Sequence, residues 1–269
     1  MFEEILQNVR LKKPLTHCIT NYITTNDCAN IVLACGASPT MAEAEQEAAE
    51  IASQADGLDI NIGNLNSHTV LAMHRAIAAA HQAGIPVVLD PVGAGASTYR
   101  METLRDFFAQ YQFSVVRGNV SELLAVGGAA SNTKGVDAGA ADAVTEENLQ
   151  ERVKFFKQLS AKLGAVVSVS GAIDIIASPE RNGHPMMSCV TGTGCMLSAL
   201  TAAYCGGNPD NILEAAAAAT AAMGVAGDIA YQKTKEQGLG TGSFRVYLMD
   251  AISMMDAEIL QGGMNVEIR

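Results

Sequence analysis

Hydrophobic and polar positions follow two alternating patterns along this chain. Apolar residues at helical spacing, with polar residues opposite, predict a series of helices. They lie near residues 41–55, 67–84, 101–111, 144–164, 193–206, 209–232 and 243–262. Short apolar runs bounded by glycine or polar residues predict strands between them. These runs lie near residues 58–65, 85–90, 113–119 and 165–171, and residues 174–178 and 183–189 are expected to pair as a hairpin-like edge.

This alternation predicts an α/β fold with a mostly parallel central sheet and helices on both faces, which is a three-layer α/β/α arrangement. Apolar runs such as "PVVL" suit strands that are buried on both faces. With 269 residues, 49% of them hydrophobic, the chain can bury a large core. The Gly/Ala-rich stretch 127–144 is interpreted as a functional loop, and a single domain over 1–269 is expected.

The charge balance narrows the classes of partner. A net charge of −11 disfavours binding to nucleic acid or to an anionic membrane, although it allows a local anion site built from backbone N–H groups. No apolar run predicts a membrane span, the chain start does not resemble a signal peptide, and a cytoplasmic location is expected. The six cysteines form no CxxC pair and are expected to be reduced thiols.

Polar residues follow three of the predicted strands, in "LDPVGAG", "VVRGNVSE" and "SVSGAID". Ligands of open parallel sheets bind beyond the carboxyl ends of the strands. The side chains expected to converge there are Asp90, Arg117, Asn119, Glu122 and Ser170.

Two carboxylates in this group suggest a cation site. Asp90 and Glu122 together could hold Mg²⁺ directly or through waters. Alternatively, Asp90 caps its own turn, and Glu122 caps a helix that begins at Asn119. Arg117 could bind a phosphate with two parallel hydrogen bonds, or it could pair with Glu122.

The stretch "TGTGC", residues 191–195, directly precedes a predicted helix. Glycine permits a tight turn, and the helix start offers unpaired N–H groups at the positive end of its dipole, so an anion hole is one interpretation. The alternative is a tight helix entry capped by a threonine. The stretch matches neither the Walker loop nor the GxGxxG pattern.

Taken together and in this order, several stretches resemble the hydroxyethylthiazole kinase family of the ribokinase-like superfamily. They are "HCITNYITTNDCAN", "GASPTMAEAEQE", "NIGNLN", "LDPVGAGAS", "RGNVSE", "KGVDAG", "SVSGAIDIIA", "VTGTGCMLSAL" and "GLGTGSFRVYLMD". They cover nearly the whole chain. The combination of "HCITN", "ASPTMAEAEQE" and "GTGC" is the specific part.

The resemblance implies a kinase that transfers the γ-phosphoryl group of ATP to the primary alcohol of 4-methyl-5-(2-hydroxyethyl)thiazole in thiamine salvage. It further implies a homotrimer with active sites between subunits. By position, the resemblance implies substrate binding by Asn21, Met41 and Gly192, and ATP binding by Arg117 and Ser170. It implies Mg²⁺ and phosphate binding by Asp90 and Glu122. It also implies an anion hole at Gly192, Gly194 and Cys195. Ser170 stands where the family pattern has a threonine, and either hydroxyl can hydrogen-bond.

Cys195 stands where most ribokinase-like kinases have an aspartate that is taken to be the base. A helix N-terminus lowers the pKa of a thiol, whereas bound phosphates raise it, so Cys195 is expected to orient the substrate hydroxyl and to contribute modestly. Its alternative role is to fill space at the helix start. The rival functions are kinases for pyrimidine or pyridoxal-type alcohols, a nucleotide-dependent dehydratase of this fold, and a non-catalytic nucleotide sensor.

Overall fold

The structure is a computed structural model, and it describes residues 2–129, 144–145, 147–171, 173–176, 180–181 and 192–264. The predicted loop 127–144 lies almost entirely outside these residues, as do the segment 183–189 and the motif "KGVDAG". The strands are β1 (Leu15–Ile19), β2 (Ser38–Thr40), β3 (Gly57–Asn61), β4 (Val87–Asp90), β5 (Val115–Asn119), β6 (Val166–Ser170), β7 (Asp174–Ile176) and β8 (Glu180–Arg181). The helices are α1 (Glu3–Lys12), α2 (Thr25–Ala34), α3 (Ala48–Gln54), α4 (Ser67–Ala83), α5 (Thr98–Gln110), α6 (Val120–Gly127), α7 (Leu149–Leu163), α8 (Thr193–Gly207), α9 (Ile212–Glu236), α10 (Thr241–Met254) and α11 (Ala257–Gly263).

The strands form one sheet, in the order β2-β1-β3-β4-β5-β6-β7-β8 within the described part of the chain. The first six strands are parallel, and β7 and β8 are antiparallel additions at one edge. The predicted α/β class and mostly parallel sheet are therefore confirmed. At the predicted hairpin-like edge, β7 pairs antiparallel with Glu180–Arg181. The predicted partner segment 183–189 lies outside the described residues, so that pairing stays a prediction.

Several predicted helix limits were wrong. Residues 41–47 are not helical, because the chain continues from β2 and the His17 ring hydrogen-bonds the Ala42 carbonyl at 2.7 Å. The helix predicted over 243–262 is two helices, since Asp256 accepts a hydrogen bond from the Ile259 N–H (2.8 Å) and starts α11. Helix α7 starts at Leu149 rather than at 144.

Two hydrophobic clusters lie on the two faces of the sheet, one built largely from α8 and α9 and the other from α4, α5 and α7. Among the described helices, α9 alone has the length and hydropathy of a membrane span, and 72% of that apolar stretch is buried within the protein. Small residues bring α8 close to the sheet, because a Cβ at Gly57 would overlap the Ala202 carbonyl oxygen. This close packing sets the start of α8 above the strand ends.

The order of the strands determines where a ligand can bind. From β1 the chain passes to β2 on one side, and β3 then lies on the other side of β1. Such a reversal leaves a crevice at the carboxyl ends of the strands, and ligands bind there in open α/β sheets. In the register of the sheet, Asn61 at the end of β3 pairs with Asp90 at the end of β4.

Candidate active site

A buried carboxylate, Asp90, lies at the centre of the strand ends. One of its oxygens, Oδ2, accepts hydrogen bonds from the Ser198 hydroxyl (2.6 Å) and the Asn61 amide (3.0 Å). The other, Oδ1, is buried and has no hydrogen-bond partner among the described residues. Burial raises the pKa of Asp90, and Arg117, Ser198 and Asn61 oppose the shift. The alternative that Asp90 only caps its own turn is wrong, because its partners come from β3 and α8.

Arg117 on β5 is buried beside Asp90. Its Nη1 lies 3.6 Å from Asp90 Oδ2, and its Nη2 donates a hydrogen bond to the Ser170 hydroxyl at the end of β6. Its Nε is buried and finds no hydrogen-bond acceptor within the part of the chain that the structure describes. The structure therefore pairs Arg117 with Asp90 rather than with Glu122.

A chain of amide side chains connects Asp90 to Cys195 at the start of α8. Asn61 donates to Asp90 and accepts at its Oδ1 from the Asn21 Nδ2 at 3.4 Å. The same Asn21 nitrogen donates to the Cys195 sulfur at 3.1 Å. Asn21 Oδ1 in turn accepts from the Thr24 N–H (3.2 Å), which fixes the orientation of the amide. Thus Asn21, Cys195 and Asp90 are parts of one hydrogen-bonded network.

Glu122 caps helix α6 with a capping box. Its Oε2 accepts from the Asn119 N–H at 2.8 Å, while Asn119 Oδ1 accepts from the Glu122 N–H at 2.9 Å. Its Oε1 accepts from the Gly93 N–H at 2.8 Å, which ties it to the turn after β4. Burial and the charge of Asp90 raise the pKa of Glu122 to about 7, against these hydrogen bonds and Arg117. The helix-cap interpretation is confirmed, and the same contacts place the carboxyl beside the Asp90 turn.

The turn before α8 requires glycine at two positions. Gly192 is the N-cap and has φ +91, in the left-handed region, so the alternative of a threonine cap is wrong. A Cβ at Gly192 would lie 3.1 Å from the Thr24 Cβ, and a Cβ at Gly194 would lie 2.9 Å from Arg117 Nη1. The helix start can therefore approach α2 and the Arg117 guanidinium closely, with its first N–H groups at the strand ends.

The thiol of Cys195 is partly buried at this helix start. Burial, and then the charge of Asp90, raise its pKa, while hydrogen bonds with Thr24, Asn61 and Asn21 lower it. The lowering that a helix N-terminus favours is therefore not the net result at Cys195, since desolvation and Asp90 raise the pKa of the thiol. A raised pKa favours the neutral thiol over the thiolate.

The described residues contain further free thiols. They are Cys18, Cys28, Cys35 and Cys205, and burial raises the pKa of each. The prediction of reduced cysteines is confirmed for these and for Cys195. Cys189 lies outside the described residues.

A second buried carboxyl, Asp59, lies below the site on β3. It is fully buried, and neither of its oxygens has a hydrogen-bond partner in the described parts of the chain. Burial and the charge of Asp90 raise its pKa, whereas Arg117 lowers it. In the register of the sheet it lies between Cys18 on β1 and Val88 on β4, in a row of the sheet below that of Asn61 and Asp90.

The structure brings together most of the residues predicted to form the site. Contacts join the residues from the three strand ends, as described above, and Asn21 joins them through Cys195. Met41 is the exception, since it follows β2 at the edge of the sheet, where it packs against the hydrophobic cluster of α8 and α9. No described contact connects it to Asp90 or Cys195.

Sequence reasoning assigned no role to Asn61, Ser198 or Asp59. Asn61 ends β3 in the structure, whereas the predicted strand continues to residue 65, so the strand-end rule did not identify it. Ser198 lies one turn after Gly194 on α8, and only the packing of α8 on the sheet places it against Asp90. Asp59 interrupts an apolar run, which is a detectable signal for a buried acid.

Known proteins resemble this chain along nearly its whole length. Residues 6–258 match the sequence model of the hydroxyethylthiazole kinase family. A curated hydroxyethylthiazole kinase from Clostridium acetobutylicum is 46% identical, and the match covers 99% of each chain. A solved structure of hydroxyethylthiazole kinase from Pyrococcus horikoshii OT3 is 33% identical and has a TM-score of 0.85, covering 100% of this chain and 98% of that one.

A more distant solved structure shows the fold alone. A ribokinase-like superfamily protein from Enterococcus faecalis V583 has a TM-score of 0.58 at 13% identity, over 92% of this chain and 88% of that one. This likeness confirms the predicted ribokinase-like arrangement. By the match over nearly its whole length and by its close relatives, the chain belongs to the hydroxyethylthiazole kinase family.

Proposed function

We propose that this chain transfers the γ-phosphoryl group of ATP to the primary alcohol of 4-methyl-5-(2-hydroxyethyl)thiazole, forming the thiazole phosphate and ADP for thiamine biosynthesis. The observation that carries the proposal is the continuous network from Cys195 through Asn21 and Asn61 to Asp90, beneath the start of α8. This network holds Cys195, which can orient an alcohol, at the start of α8, which can bind the phosphoryl group. Family membership supports both ATP and a small alcohol as substrates.

The start of α8 acts on the transferred group. Phosphoryl transfer depends mainly on positioning and on stabilising the charge of the three equatorial oxygens. The N–H groups of Gly194 and Cys195, with the positive end of the helix dipole, would stabilise that charge, and Gly192 permits the turn that exposes them. These three residues are the proposed anion hole.

Cys195 orients the substrate hydroxyl, and any transfer of the proton to its sulfur comes late in the reaction. The raised pKa of its thiol argues against a standing thiolate. A loose transition state needs little help from a base, because the hydroxyl becomes acidic only as its bond to phosphorus forms. Asn21 holds the sulfur in place, and Asn21, Met41 and Gly192 are the proposed thiazole contacts.

Asp90 and Glu122 fit a magnesium ion that is held largely by ATP. Mg²⁺ is usually bound by one or two carboxylates together with substrate phosphates and waters. Asp90 Oδ1 is buried without a partner in the described residues, while both oxygens of Glu122 accept backbone hydrogen bonds. Asp90 would therefore serve as the direct ligand and Glu122 through water. The ion would neutralise charge on the phosphates.

Arg117 and Ser170 are the proposed ATP contacts. The Ser170 hydroxyl is only partly buried, at the carboxyl end of β6, and can reach a nucleotide there. Arg117 is nearly covered, so its charge would act on the phosphates from below, through its position beneath Gly194.

We infer that the protein assembles as a homotrimer with active sites between its subunits. Each subunit is a single domain spanning residues 1–269. Tyr22 and Ile23 directly follow Asn21 and are 63% and 70% exposed, so an apolar surface adjoins the site. Light scattering should give three times the 28.0 kDa chain mass, and a monomer at working concentration would contradict the trimer. We further propose a cytoplasmic location.

The experiment that tests the function is ADP release from the purified protein with ATP, Mg²⁺ and the thiazole alcohol. A reaction without thiazole and a panel of pyridoxine and hydroxymethylpyrimidine alcohols are the controls. Thiazole-dependent ADP supports the proposal. Release with a different alcohol would keep the phosphate site and overturn the substrate, and no release with any alcohol would favour the dehydratase or sensor alternatives.

A further inference from the structure

Arg100, near the start of α5, holds two turns of the chain together. Its Nη1 donates hydrogen bonds to the carbonyl oxygens of Ile62 and Val92, the latter at 2.6 Å, and its Nη2 donates to the Gly63 carbonyl at 2.7 Å. Ile62 and Gly63 follow β3, whereas Val92 follows β4. A single guanidinium therefore bridges the two turns that leave the sheet beside Asp90.

On the β3 side, the bridged turn contacts the proposed substrate side of the site. The Gly63 N–H donates to Asn61 Oδ1 at 2.9 Å. Gly63 also packs tightly against Asn21, since a Cβ added there would lie 2.8 Å from the Asn21 Cβ. Asn21 is the residue that donates to the Cys195 sulfur.

On the β4 side, the bridged turn contacts the proposed metal side. Val92 lies two residues after Asp90, and the next residue, Gly93, donates its N–H to Glu122 Oε1 at 2.8 Å. A Cβ at Gly93 would lie 3.4 Å from Arg100 Nε, so the guanidinium also packs against this turn. This turn therefore connects Arg100 to Glu122 through Gly93, and it begins directly after Asp90.

We propose that Arg100 is a positioning residue for phosphoryl transfer, which holds the Asn21 side and the Glu122 side of the site at a fixed separation. The inference rests on the proposed function. Three carbonyl acceptors from two turns need several donors in one rigid plane, which arginine has and lysine lacks. Without the guanidinium, carbonyl dipoles of both turns would face each other with no cation between them.

The expected consequence is a loss in turnover. A displacement of about 1 Å at a reacting group can cost on the order of 100-fold in rate. Arg100→Ala should therefore lower kcat by about 10- to 100-fold. The KM for ATP should change less than kcat, because the proposed ATP contacts Arg117 and Ser170 make no described contact with Arg100. Arg100→Lys should recover little of the loss.

The test compares wild type with Arg100→Ala, Arg100→Lys and Arg105→Ala. Arg105 is an exposed arginine on the same helix, so Arg105→Ala serves as the matched control. Steady-state ADP release gives kcat and KM, and millimolar methylguanidinium is titrated into each protein. Amide hydrogen exchange is measured over residues 62–64 and 91–95. We expect faster amide exchange in these two turns for the Arg100 variants. Methylguanidinium should raise the kcat of Arg100→Ala several-fold. In Arg105→Ala, neither exchange nor kcat should change.

A kcat of Arg100→Ala within about twofold of wild type would overturn the inference. A loss of kcat without faster exchange in both turns would also overturn it. The same holds for a loss of kcat that methylguanidinium does not restore. Should Arg100→Ala fail to fold, Arg100→Lys carries the same comparison of exchange and kcat. If wild type itself releases no ADP with the thiazole, the proposed function fails, while the exchange measurement still decides whether Arg100 holds the turns.

Discussion

Replacement of the buried acid Asp59 by valine should stabilise the protein. The side chain lies in an apolar row of the sheet beneath α8, between Cys18 and Val88 in the strand register. Neither carboxyl oxygen has a hydrogen-bond partner in the parts of the chain that the structure describes. Valine has a similar volume and suits both the strand and the apolar surroundings.

The size of the gain follows from two contributions. A buried polar group without a partner costs about 1–3 kcal/mol, and burial of a valine side chain contributes about 1.5 kcal/mol. Part of the second contribution is offset by imperfect packing, so a net gain of about 2–4 kcal/mol in the free energy of unfolding is expected. For a chain of this size that corresponds to a rise in Tm of about 5–15 °C.

The gain should increase with pH. Burial and the charge of Asp90 raise the pKa of Asp59 in the folded protein above its value of about 3.9 in the unfolded chain. The folded state therefore keeps a proton that the unfolded state has lost, and wild-type stability from this group declines as pH rises from about 4 towards the folded pKa. Because Asp59→Val has no such group, its advantage grows over that window.

The assay is urea unfolding followed by circular dichroism at pH 5 and pH 8, with Asp59→Asn as the matched control. Asparagine removes the titration but leaves a buried polar group, so Asp59→Asn should share the pH trend and gain less at pH 5. An Asp59→Val protein less stable than wild type at pH 8, or a difference that does not change with pH, would refute the reasoning. Either result would mean that the carboxylate has a partner in the folded protein.

Three changes in the site itself have distinct expected outcomes. Cys195→Ala should lower kcat by about 10- to 100-fold in the ADP assay, and a loss under about threefold would contradict a role in orienting the hydroxyl. Gly194→Val should abolish turnover with an unchanged circular dichroism spectrum, because its Cβ would lie 2.9 Å from Arg117 Nη1; normal turnover would refute the anion hole. At limiting Mg²⁺, kcat/KM should rise as pH passes the Glu122 pKa of about 7, because the ionised carboxylate favours the cation. Glu122→Gln should abolish this rise. A wild-type pH profile in that variant would argue against the cation role.

Much of the site could be predicted because parallel strands end at the same edge of a sheet. That rule needs only the apolar runs and the polar residue after each one, and it brings Asp90, Arg117, Glu122 and Ser170 together from the amino-acid sequence alone. Pairing within the group was not predictable in this way. Whether Arg117 contacts Asp90 or Glu122 depends on strand register and on the capping box of α6, which leaves both Glu122 oxygens accepting backbone hydrogen bonds.

Contacts made by helices across the sheet could not be predicted from local sequence. Ser198 lies on α8, which is buried on nearly all sides, and Arg100 lies near the start of the more polar α5, and the local sequence around neither residue indicates its partner. Asp90 is distant in sequence from Ser198, as the turn after β3 is from Arg100, and these contacts form only through tertiary packing. The helix limits near 41–47 and at Asp256 were wrong for a related reason, since a single distant or capping hydrogen bond outweighs helix propensity.

The pKa of Cys195 shows how burial changes a local expectation. A helix N-terminus favours a thiolate, but the same turn that exposes those N–H groups also buries the sulfur near the carboxylate of Asp90. Desolvation and the negative charge both raise the pKa of the thiol. In the proposed mechanism the helix dipole would therefore act on the phosphoryl oxygens, while the thiol, held by Asn21, would orient the alcohol. This proposed division of roles follows from the position of Asp90 on the sheet beneath the start of α8.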